Sequence, residues 1–217
     1  METPVITNDF QTEQGERITA VSVGCGRGYL ALKRAVDIMI ALSGLLFLAV
    51  PMLIVAVIIR IDSSGPAIFK QQRMGRNAQQ FTIYKFRTMK MDAPSQMASR
   101  EFTDSDQFIT KFGKFLRRTS IDELPQLINI LKGDMSLVGY RPVCLTEERL
   151  NTLRKQYGVF ALRPGVTGLA QVSGRDNVYG EKKAQLDAQY VSQCSAKMDL
   201  MCIWKTIKTV LSGEGVF

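Results

Sequence analysis

Two adjacent carboxylates, Asp122 and Glu123, stand in a stretch whose residue types can do chemistry on an anion. The stretch is RRTSIDELPQL, residues 117–127, in which two arginines precede the carboxylates and a proline follows them. Carboxylates can do acid–base or nucleophilic work at neutral pH, and arginines bind anions. The structural alternative is a capping box between Ser120 and Glu123, or a helix that begins at Pro125. Either register stabilises both carboxylates at a helix N-terminus without any function.

Basic residues elsewhere in the chain are also arranged for binding anions. Residues 60–120 carry 12 Lys and Arg against 5 Asp and Glu. This excess indicates nucleic acid, acidic lipid or a phosphorylated substrate as partner, with a merely solvated surface as the alternative. The glycine-rich segment 162–175 has Arg163 and Arg175 near its ends, and its glycines would let a ligand approach the backbone. The bracketing arginines favour anion binding over an ordinary surface loop.

The composition excludes several classes of catalytic site. The 217 residues include no histidine, which excludes Ser-His-Asp and Cys-His nucleophile systems and histidine metal sites. The four cysteines have no C-x-x-C spacing, so we expect reduced cytosolic thiols rather than a zinc site or a disulfide framework. These cysteines are Cys25, Cys144, Cys194 and Cys202.

An apolar run, residues 38–59, is long enough to reach across a bilayer. As a straight helix this uncharged run would be roughly 33 Å long, against a hydrocarbon core of about 30 Å. Pro51 lies inside the run and is expected to break the helix into two arms that are each too short to span. Basic residues flank both ends, which favours a cytoplasmic position for both. We therefore expect a re-entrant helix that turns back at Pro51; the alternative is a kinked spanning helix.

The remaining segments predict a small and mostly helical domain. Alternating apolar residues predict a strand over residues 79–89 that carries Lys85 and Arg87 outward. Helical spacing predicts an amphipathic helix over residues 106–118, and the helix behind the carboxylates should end at the following Lys-Gly pair. The last helix carries Trp204 beside basic residues, a pattern typical of core packing or of a membrane interface.

Four motifs, in order along the chain, resemble those of the bacterial sugar transferase family. They are KFRTM (85–89), RRTSIDELPQLINILKGDMSLVG (117–139), RP (141–142) and RPGVTGLAQVSGR (163–175). The family consists of monotopic polyprenyl-phosphate phosphoglycosyl transferases, which begin glycan assembly on a lipid carrier. Members are similar in having a proline-broken re-entrant helix, which matches Pro51, and amphipathic helices at the cytoplasmic interface. The likeness covers about residues 30–217.

The resemblance implies that a sugar 1-phosphate passes from a UDP-sugar to undecaprenyl phosphate, with release of UMP and a need for Mg²⁺. It implies that Asp122 is the nucleophile of a covalent phosphosugar intermediate and that Asp122 and Glu123 hold the metal ion. The candidates for binding substrate phosphates are Lys85, Arg87, Arg118, Arg141, Arg163 and Arg175. The product would feed capsule, exopolysaccharide, O-antigen or glycoprotein glycan assembly.

The expected fold is α/β but mostly helical, with amphipathic interfacial helices and a short sheet. Residues 1–28 would be a loosely ordered polar tail, residues 29–60 the re-entrant membrane helix, and residues 61–217 a cytosolic, membrane-associated catalytic domain. The resemblance places the protein at the bacterial inner membrane, with the catalytic domain on the cytoplasmic face. It implies membrane lipids as partners, no nucleic acid, and allows a homodimer.

Two positions depart from the family pattern, and two other functions compete with the one it implies. Tyr140 stands where members often have proline before the Arg-Pro pair, and Val50 where many have serine before the helix-breaking proline. One competitor is a glycosyltransferase that moves the sugar alone and releases UDP. The other is a membrane-anchored binding protein in which Asp122 and Glu123 are only caps. The nucleotide product separates the first pair, and Asp122→Asn tests the second.

Overall fold

The computed structural model describes residues 9–11, 17–93, 105–174 and 178–212, which form mostly helices with short paired strands. The strands are β1 (Asp9–Gln11), β2 (Arg17–Thr19), β3 (Ile68–Met74), β4 (Gln80–Phe86), β5 (Ser136–Val138) and β6 (Gly165–Thr167). The helices are α1 (Arg27–Asp62), α2 (Ser105–Phe108), α3 (Lys111–Thr119), α4 (Gln126–Lys132), α5 (Glu148–Gln156), α6 (Leu169–Val172), α7 (Gly180–Ser192) and α8 (Ala196–Ser212). The expected mostly helical protein with a small amount of sheet is confirmed in outline.

Helix α1 contains the apolar run and has 36 residues, which at 1.5 Å per residue make it about 54 Å long. It continues through Pro51, so the predicted break is not observed, and the re-entrant path stays a prediction. Within the described residues, α1 is the one helix long and apolar enough to cross a membrane. Its most exposed large apolar side chains include Leu46, Phe47, Val50, Leu53 and Ile61.

One face of α1 packs on the rest of the protein at points along its length. Near the N-terminal end, the Leu137 N–H donates to Asp37 Oδ1 at 3.0 Å. In the middle, the Leu127 side chain lies against Gly44. Near the C-terminal end, Ile59 is buried in an apolar cluster with residues of β4 and α3. Both ends of α1 therefore contact the same domain.

The strands form three two-stranded pairs within the described part of the chain. β1 pairs with β2 and β3 with β4, both antiparallel, while β5 and β6 are parallel. β4 lies inside the segment 79–89 that the sequence predicts as a strand. Gly165 and Gly168, expected to let a ligand approach, instead let β6 approach β5, because a Cβ at either would overlap the backbone of Gly139.

Two helices show how local capping sets their ends. The predicted helix 106–118 is divided into α2 and α3, because Thr110 Oγ1 accepts from the Gly113 N–H at 2.9 Å and caps a new N-terminus. Helix α4 ends at Gly133, whose φ of 91° closes the helix, as the sequence predicts. Apolar periodicity alone does not predict this division, because the cap depends on a polar residue, Thr110.

Cys25 and Cys194 are joined by a disulfide, so the prediction that all four cysteines are free thiols is wrong for this pair. Their Cα atoms lie 5.4 Å apart although 169 positions separate them in sequence. The same part of the predicted tail is bound to α7, since the Gly24 N–H donates to the Val191 carbonyl at 3.0 Å. The other two cysteines are buried and lie outside this disulfide: Cys144 and Cys202.

Candidate active site

A tight turn between α3 and α4 carries Asp122 and Glu123. Helix α3 ends at Ser120, whose left-handed backbone conformation (φ 56°) reverses the chain. Residues Ile121–Glu123 form one 3-10 turn, and α4 begins after Pro125. In this described stretch no side chain makes a capping hydrogen bond at the start of the turn or of α4. The capping box that the sequence allows is therefore not formed.

Glu123 is held by two cations from different elements. Lys85 of β4 donates to Glu123 Oε1 at 3.0 Å. Arg141, which follows β5, donates to Oε1 at 2.5 Å and to Oε2 at 3.3 Å, so its guanidinium grips both oxygens. The Glu123 side chain is only 16% exposed. Burial alone would raise the pKa of Glu123, but the charges of Arg141 and Lys85 outweigh it and hold the pKa well below its ordinary value.

Asp122 has a different environment from its neighbour. Among the described residues, no hydrogen bond or ion pair reaches its carboxylate at bonding distance. Burial raises the pKa of Asp122, and the adjacent Glu123 charge adds to the rise, while Lys85, Arg141 and Arg117 oppose it. In this turn Glu123 is bound by cations, while Asp122 is not hydrogen-bonded to the described residues and experiences the positive charge of the same cations.

The loop that carries Arg141 is fixed by Tyr140, one of the two departures from the family pattern. The Tyr140 side chain is fully buried, and its ring lies 5.1 Å from the guanidinium carbon of Arg154. Arg154 in turn donates to Asp187 Oδ2 at 2.9 Å and 2.6 Å in a buried ion pair. The Tyr140 carbonyl accepts from the Gly165 N–H at 2.9 Å. A large aromatic residue thus anchors this loop.

The structure adds two cations near Arg141 that the sequence does not single out. Burial lowers the pKa of Arg73, and the nearby charge of Arg141 lowers it further. Burial lowers the pKa of Lys183 to about 8, with the charges of Arg154 and Arg141 acting in the same direction. Side chains alternate along β3, so Arg73 lies on the same face as the buried Gln71. This alternation is visible in the sequence and could have identified Arg73. The sequence gives no comparable signal for Lys183, because a lysine on a helix is ordinarily a surface residue.

Of the two arginines before the turn, Arg117 rather than the candidate Arg118 acts on the carboxylates. Arg118, a candidate for phosphate binding, is exposed. Arg117 donates from Nε to Thr88 Oγ1 at 2.9 Å, and its charge acts on Asp122. Adjacent helix residues point about 100° apart, so only one of the pair can face the turn.

The remaining candidates lie away from the carboxylates or outside the described residues. Arg87 is buried, so the prediction that it points outward is wrong. It donates to the carbonyls of Ser63 and Ser64 at the end of α1 and thereby ties β4 to that helix. Arg163 donates from Nε to the Gly133 carbonyl at 2.8 Å. Arg175 lies outside the described residues.

The carboxylate pair fits a magnesium ion better than a metal that needs a full protein cage. Within the described ranges, no group of three or more Asp, Glu, Cys or His residues is placed to hold a metal ion. Mg²⁺ is commonly held by one or two carboxylates together with water and substrate phosphates. The half-buried, unpaired carboxylate of Asp122 would be stabilised by a cation, and Glu123 is its neighbour in the same turn.

Two helices expose apolar side chains that suit a membrane surface. On α8, Leu200 is 67% exposed and Trp204 is 68% exposed, and Ile207 continues the same stripe one turn further. On α3, Phe115 is exposed beside the buried Leu116. Of the two interpretations that the sequence leaves open for α8, this exposure favours the interfacial one over core packing.

Comparison with known proteins identifies a family and several relatives. The model of the family described as bacterial sugar transferase matches residues 28–213. The chain is 42% identical to a galactosyl transferase of Streptococcus agalactiae over 95% of this chain and 48% of that protein. It is 40% identical to an uncharacterized sugar transferase of Bacillus subtilis over 86% of this chain and 91% of that protein.

A third relative is named for a specific reaction. The chain is 38% identical to the undecaprenyl-phosphate galactose phosphotransferase of Salmonella typhimurium, over 86% of this chain and 42% of that protein. The chain thus spans about half the length of the Streptococcus and Salmonella relatives and nearly all of the Bacillus one.

Proposed function

Because the chain belongs to the bacterial sugar transferase family, we propose that it transfers a sugar 1-phosphate from a UDP-sugar to undecaprenyl phosphate and releases UMP. Asp122 is the nucleophile and Glu123 its partner. The Salmonella typhimurium relative, whose name states a phosphotransfer to undecaprenyl phosphate, supports this reaction type. The product enters the assembly of a bacterial surface polysaccharide or glycoprotein glycan.

The observation that carries the proposal is the contrast between the two adjacent carboxylates. Asp122 is free of hydrogen bonds to the described residues, while the cations that bind Glu123 lie close enough to act on it. A carboxylate that approaches a diphosphate meets like charge, and nearby cations reduce that repulsion. Lys85, Arg141 and Arg117 supply positive charge at this point.

The transfer takes place in two displacements at one phosphorus atom. An oxygen of Asp122 attacks the phosphorus that bears the sugar, and the bond from that phosphorus to the bridging oxygen breaks, so UMP leaves with both bonding electrons. A phosphate oxygen of undecaprenyl phosphate then attacks the same phosphorus, and the carboxylate of Asp122 leaves. The two steps return the enzyme unchanged and leave a lipid-linked diphosphate sugar.

A bound Mg²⁺, held by Asp122 and Glu123, would neutralise phosphate oxygens of the donor. The chain's own residues orient the reaction. Arg141 keeps Glu123 ionised and fixed with its two-pronged contact, and Lys85 donates to Oε1 of the same carboxylate. Arg73 and Lys183 add positive charge near Arg141, and this charge would compensate that of the leaving nucleotide's phosphate.

The proposed location is the cytoplasmic face of the bacterial inner membrane, with α1 as a re-entrant anchor. Two observations support it: α1 exposes a broad apolar surface, and both of its ends contact the same domain. Introducing cysteine at Arg27 or at Ser63 in a cysteine-free variant tests this path. Both should resist a membrane-impermeant maleimide applied to intact cells, and labelling of the position-27 cysteine from outside would refute the re-entrant helix.

A direct assay separates the transfer from its competitors. Membrane extract with undecaprenyl phosphate and a panel of UDP-sugars should release UMP with at least one donor. Release of UDP would instead indicate glycosyl transfer, an activity that the name of the Streptococcus agalactiae relative keeps in consideration. A binding protein without catalysis would release neither nucleotide, and its function would survive Asp122→Asn.

A further inference from the structure

A second group of basic side chains lines a cavity beside the N-terminal part of α1. The cavity has a volume of about 70 Å³, which is enough for several water molecules at roughly 10–15 Å³ each. Its polar lining comes from five parts of the chain: Lys33, Arg34 and Asp37 of α1, Arg76, Ser136, Arg163 and Tyr190 of α7. Neither Lys85, Glu123 nor Arg141 lines it, so this cavity is separate from the carboxylate turn.

The charges that face this cavity do not balance. Lys33 is paired with Asp199 of α8 at 2.5 Å. The three arginines then face one carboxylate among the described lining residues, that of Asp37, which already accepts the Leu137 N–H. The pKa of Arg163 is lowered by burial and also by the charges of Arg76 and Arg34. Mutual repulsion of this kind is relieved when an anion binds among the cations.

The arginines are held in place by backbone carbonyls rather than by acids. Arg34 donates to the carbonyls of Ile130 and Leu131, at 2.7 Å and 3.1 Å. Arg76 donates from Nε to the Ala161 carbonyl at 3.2 Å. A guanidinium has several N–H donors in a fixed plane, so such an anchor leaves donors for an anion. The positive groups are therefore positioned without being neutralised.

Ser136 provides an independent sign of a ligand. Its side chain is 2% exposed and lines the cavity, and its Oγ has no hydrogen-bond partner among the described residues. A buried hydroxyl without a partner is destabilising. An oxygen of a bound anion would accept this hydroxyl's hydrogen and remove that cost.

A purely structural role explains only part of this arrangement. Arg34 and Arg163 donate to carbonyls at the C-terminal end of α4, where positive charge stabilises a helix. That role does not include Arg76, which contacts Ala161, nor the unpartnered hydroxyl of Ser136. Both residues line the cavity.

The position of the cavity indicates where the anion comes from. Leu32, on α1 directly before Lys33, is 63% exposed, and the neighbouring α8 exposes Leu200 and Trp204. The Lys33–Asp199 ion pair joins these two helices at the cavity. Basic side chains at the edge of exposed apolar surface are typical of the lipid headgroup region.

We propose that the cavity formed by Arg34, Arg76, Arg163 and Ser136 binds the phosphate group of an anionic phospholipid. The lipid's acyl chains lie along the exposed apolar surfaces of α1 and α8. The bound headgroup fixes the depth and orientation of the domain at the membrane. This inference rests on the membrane association proposed above but not on the transfer reaction.

The test measures lipid binding directly with the full chain in a neutral detergent. Short-chain phosphatidylglycerol is titrated by calorimetry into the wild type, Arg76→Gln, the double variant Arg76→Gln/Ser136→Ala, and Arg149→Gln. Arg149 is exposed on α5 and does not line the cavity, so its variant removes the same charge elsewhere. Arg76 is exposed, and Ser136→Ala removes an unpaired hydroxyl, so these variants are expected to fold.

The double variant should bind the lipid at least about tenfold more weakly than the wild type, a loss of one strong polar contact or more. Arg76→Gln should be intermediate, and Arg149→Gln should match the wild type. UMP release supplies a separate readout, so failure of the transfer reaction would not obscure the binding result. Equal affinity in the wild type and the double variant would overturn the site. Inorganic phosphate that binds as tightly as the lipid would overturn the lipid assignment.

Discussion

The protein holds two groups of basic side chains, and they differ in what they face. At the carboxylate turn, Lys85 and Arg141 both donate to Glu123, so their charge is balanced by an acid and leaves Asp122 unpaired in a positive field. In the cavity beside α1, the arginines are held by carbonyls and their own charge is left unbalanced. The same residue types therefore tune a carboxylate in one region and offer an anion site in the other.

Removing the free carboxylate should have the largest effect on turnover. Asp122→Asn keeps the size of the side chain but loses the nucleophile, so UMP release should fall by roughly 10³-fold or more, as is usual when covalent catalysis is removed. The thermal unfolding temperature should stay close to that of the wild type, because Asp122 makes no hydrogen bond to the described residues. Asp92→Asn, at an exposed position, is the matched control and should keep its activity.

Replacing arginine by lysine in each region should separate the two groups. Arg141→Lys loses the two-pronged contact with Glu123, and turnover should fall by about 10- to 100-fold. Arg163→Lys acts away from the turn and should lower turnover by less than about tenfold, since lysine keeps the charge and a donor for one carbonyl. Steady-state UMP release from both purified variants makes the comparison. Equal losses would contradict the division into two regions.

The pH dependence of turnover should report the environment of Asp122. A nucleophilic carboxylate must be ionised, so activity should be lost as the pH falls through a pKa above the ordinary aspartate value of about 3.9. Lys85 favours the charged form of Asp122, so Lys85→Met should raise this pKa and move the acid limb to higher pH. Profiles of kcat/KM for wild type and variant measure the shift. An acid limb that moves to lower pH would contradict the assignment.

The disulfide belongs to the cavity region and should leave catalysis untouched. Cys194 lines the cavity, and its bond to Cys25 closes a long loop. Cys25→Ala should lower the free energy of unfolding of oxidised protein by about 2–4 kcal/mol. In a reducing buffer the wild type should lose the same stability and match the variant. Denaturant titrations measure this, and a large loss of UMP release in the variant would indicate that the two regions are coupled.

The sequence predicts those elements of the fold and site that have a local residue pattern. Apolar length identifies α1, alternation identifies β4, and the Lys-Gly pair marks the end of α4. The Asp122–Glu123 pair is visible as a candidate because two carboxylates beside two arginines are an unusual combination in a short stretch. Each of these patterns lies within a short segment, so it can be recognised from the sequence without knowledge of distant contacts.

The sequence does not predict which charges meet, because pairing depends on distant contacts. Arg141 and Arg163 look alike as candidates for phosphate binding, yet only Arg141 contacts Glu123. Arg117 and Arg118 are adjacent, and the helix decides which one faces the turn. The Cys25–Cys194 bond depends on the packing of the segment around Gly24 on α7, and local cysteine spacing does not predict that packing.

The central claim is that Asp122 forms a covalent bond to the transferred sugar phosphate. Wild-type enzyme is mixed with a UDP-sugar that supports UMP release, in the absence of undecaprenyl phosphate, and is quenched in acid. Mass spectrometry of its peptides should find the mass of a sugar phosphate on the peptide that carries Asp122, and the same peptide of Asp122→Asn should lack it. An adduct on another residue, or an unmodified Asp122 peptide while UMP is released in one-to-one amount with enzyme, would contradict the account.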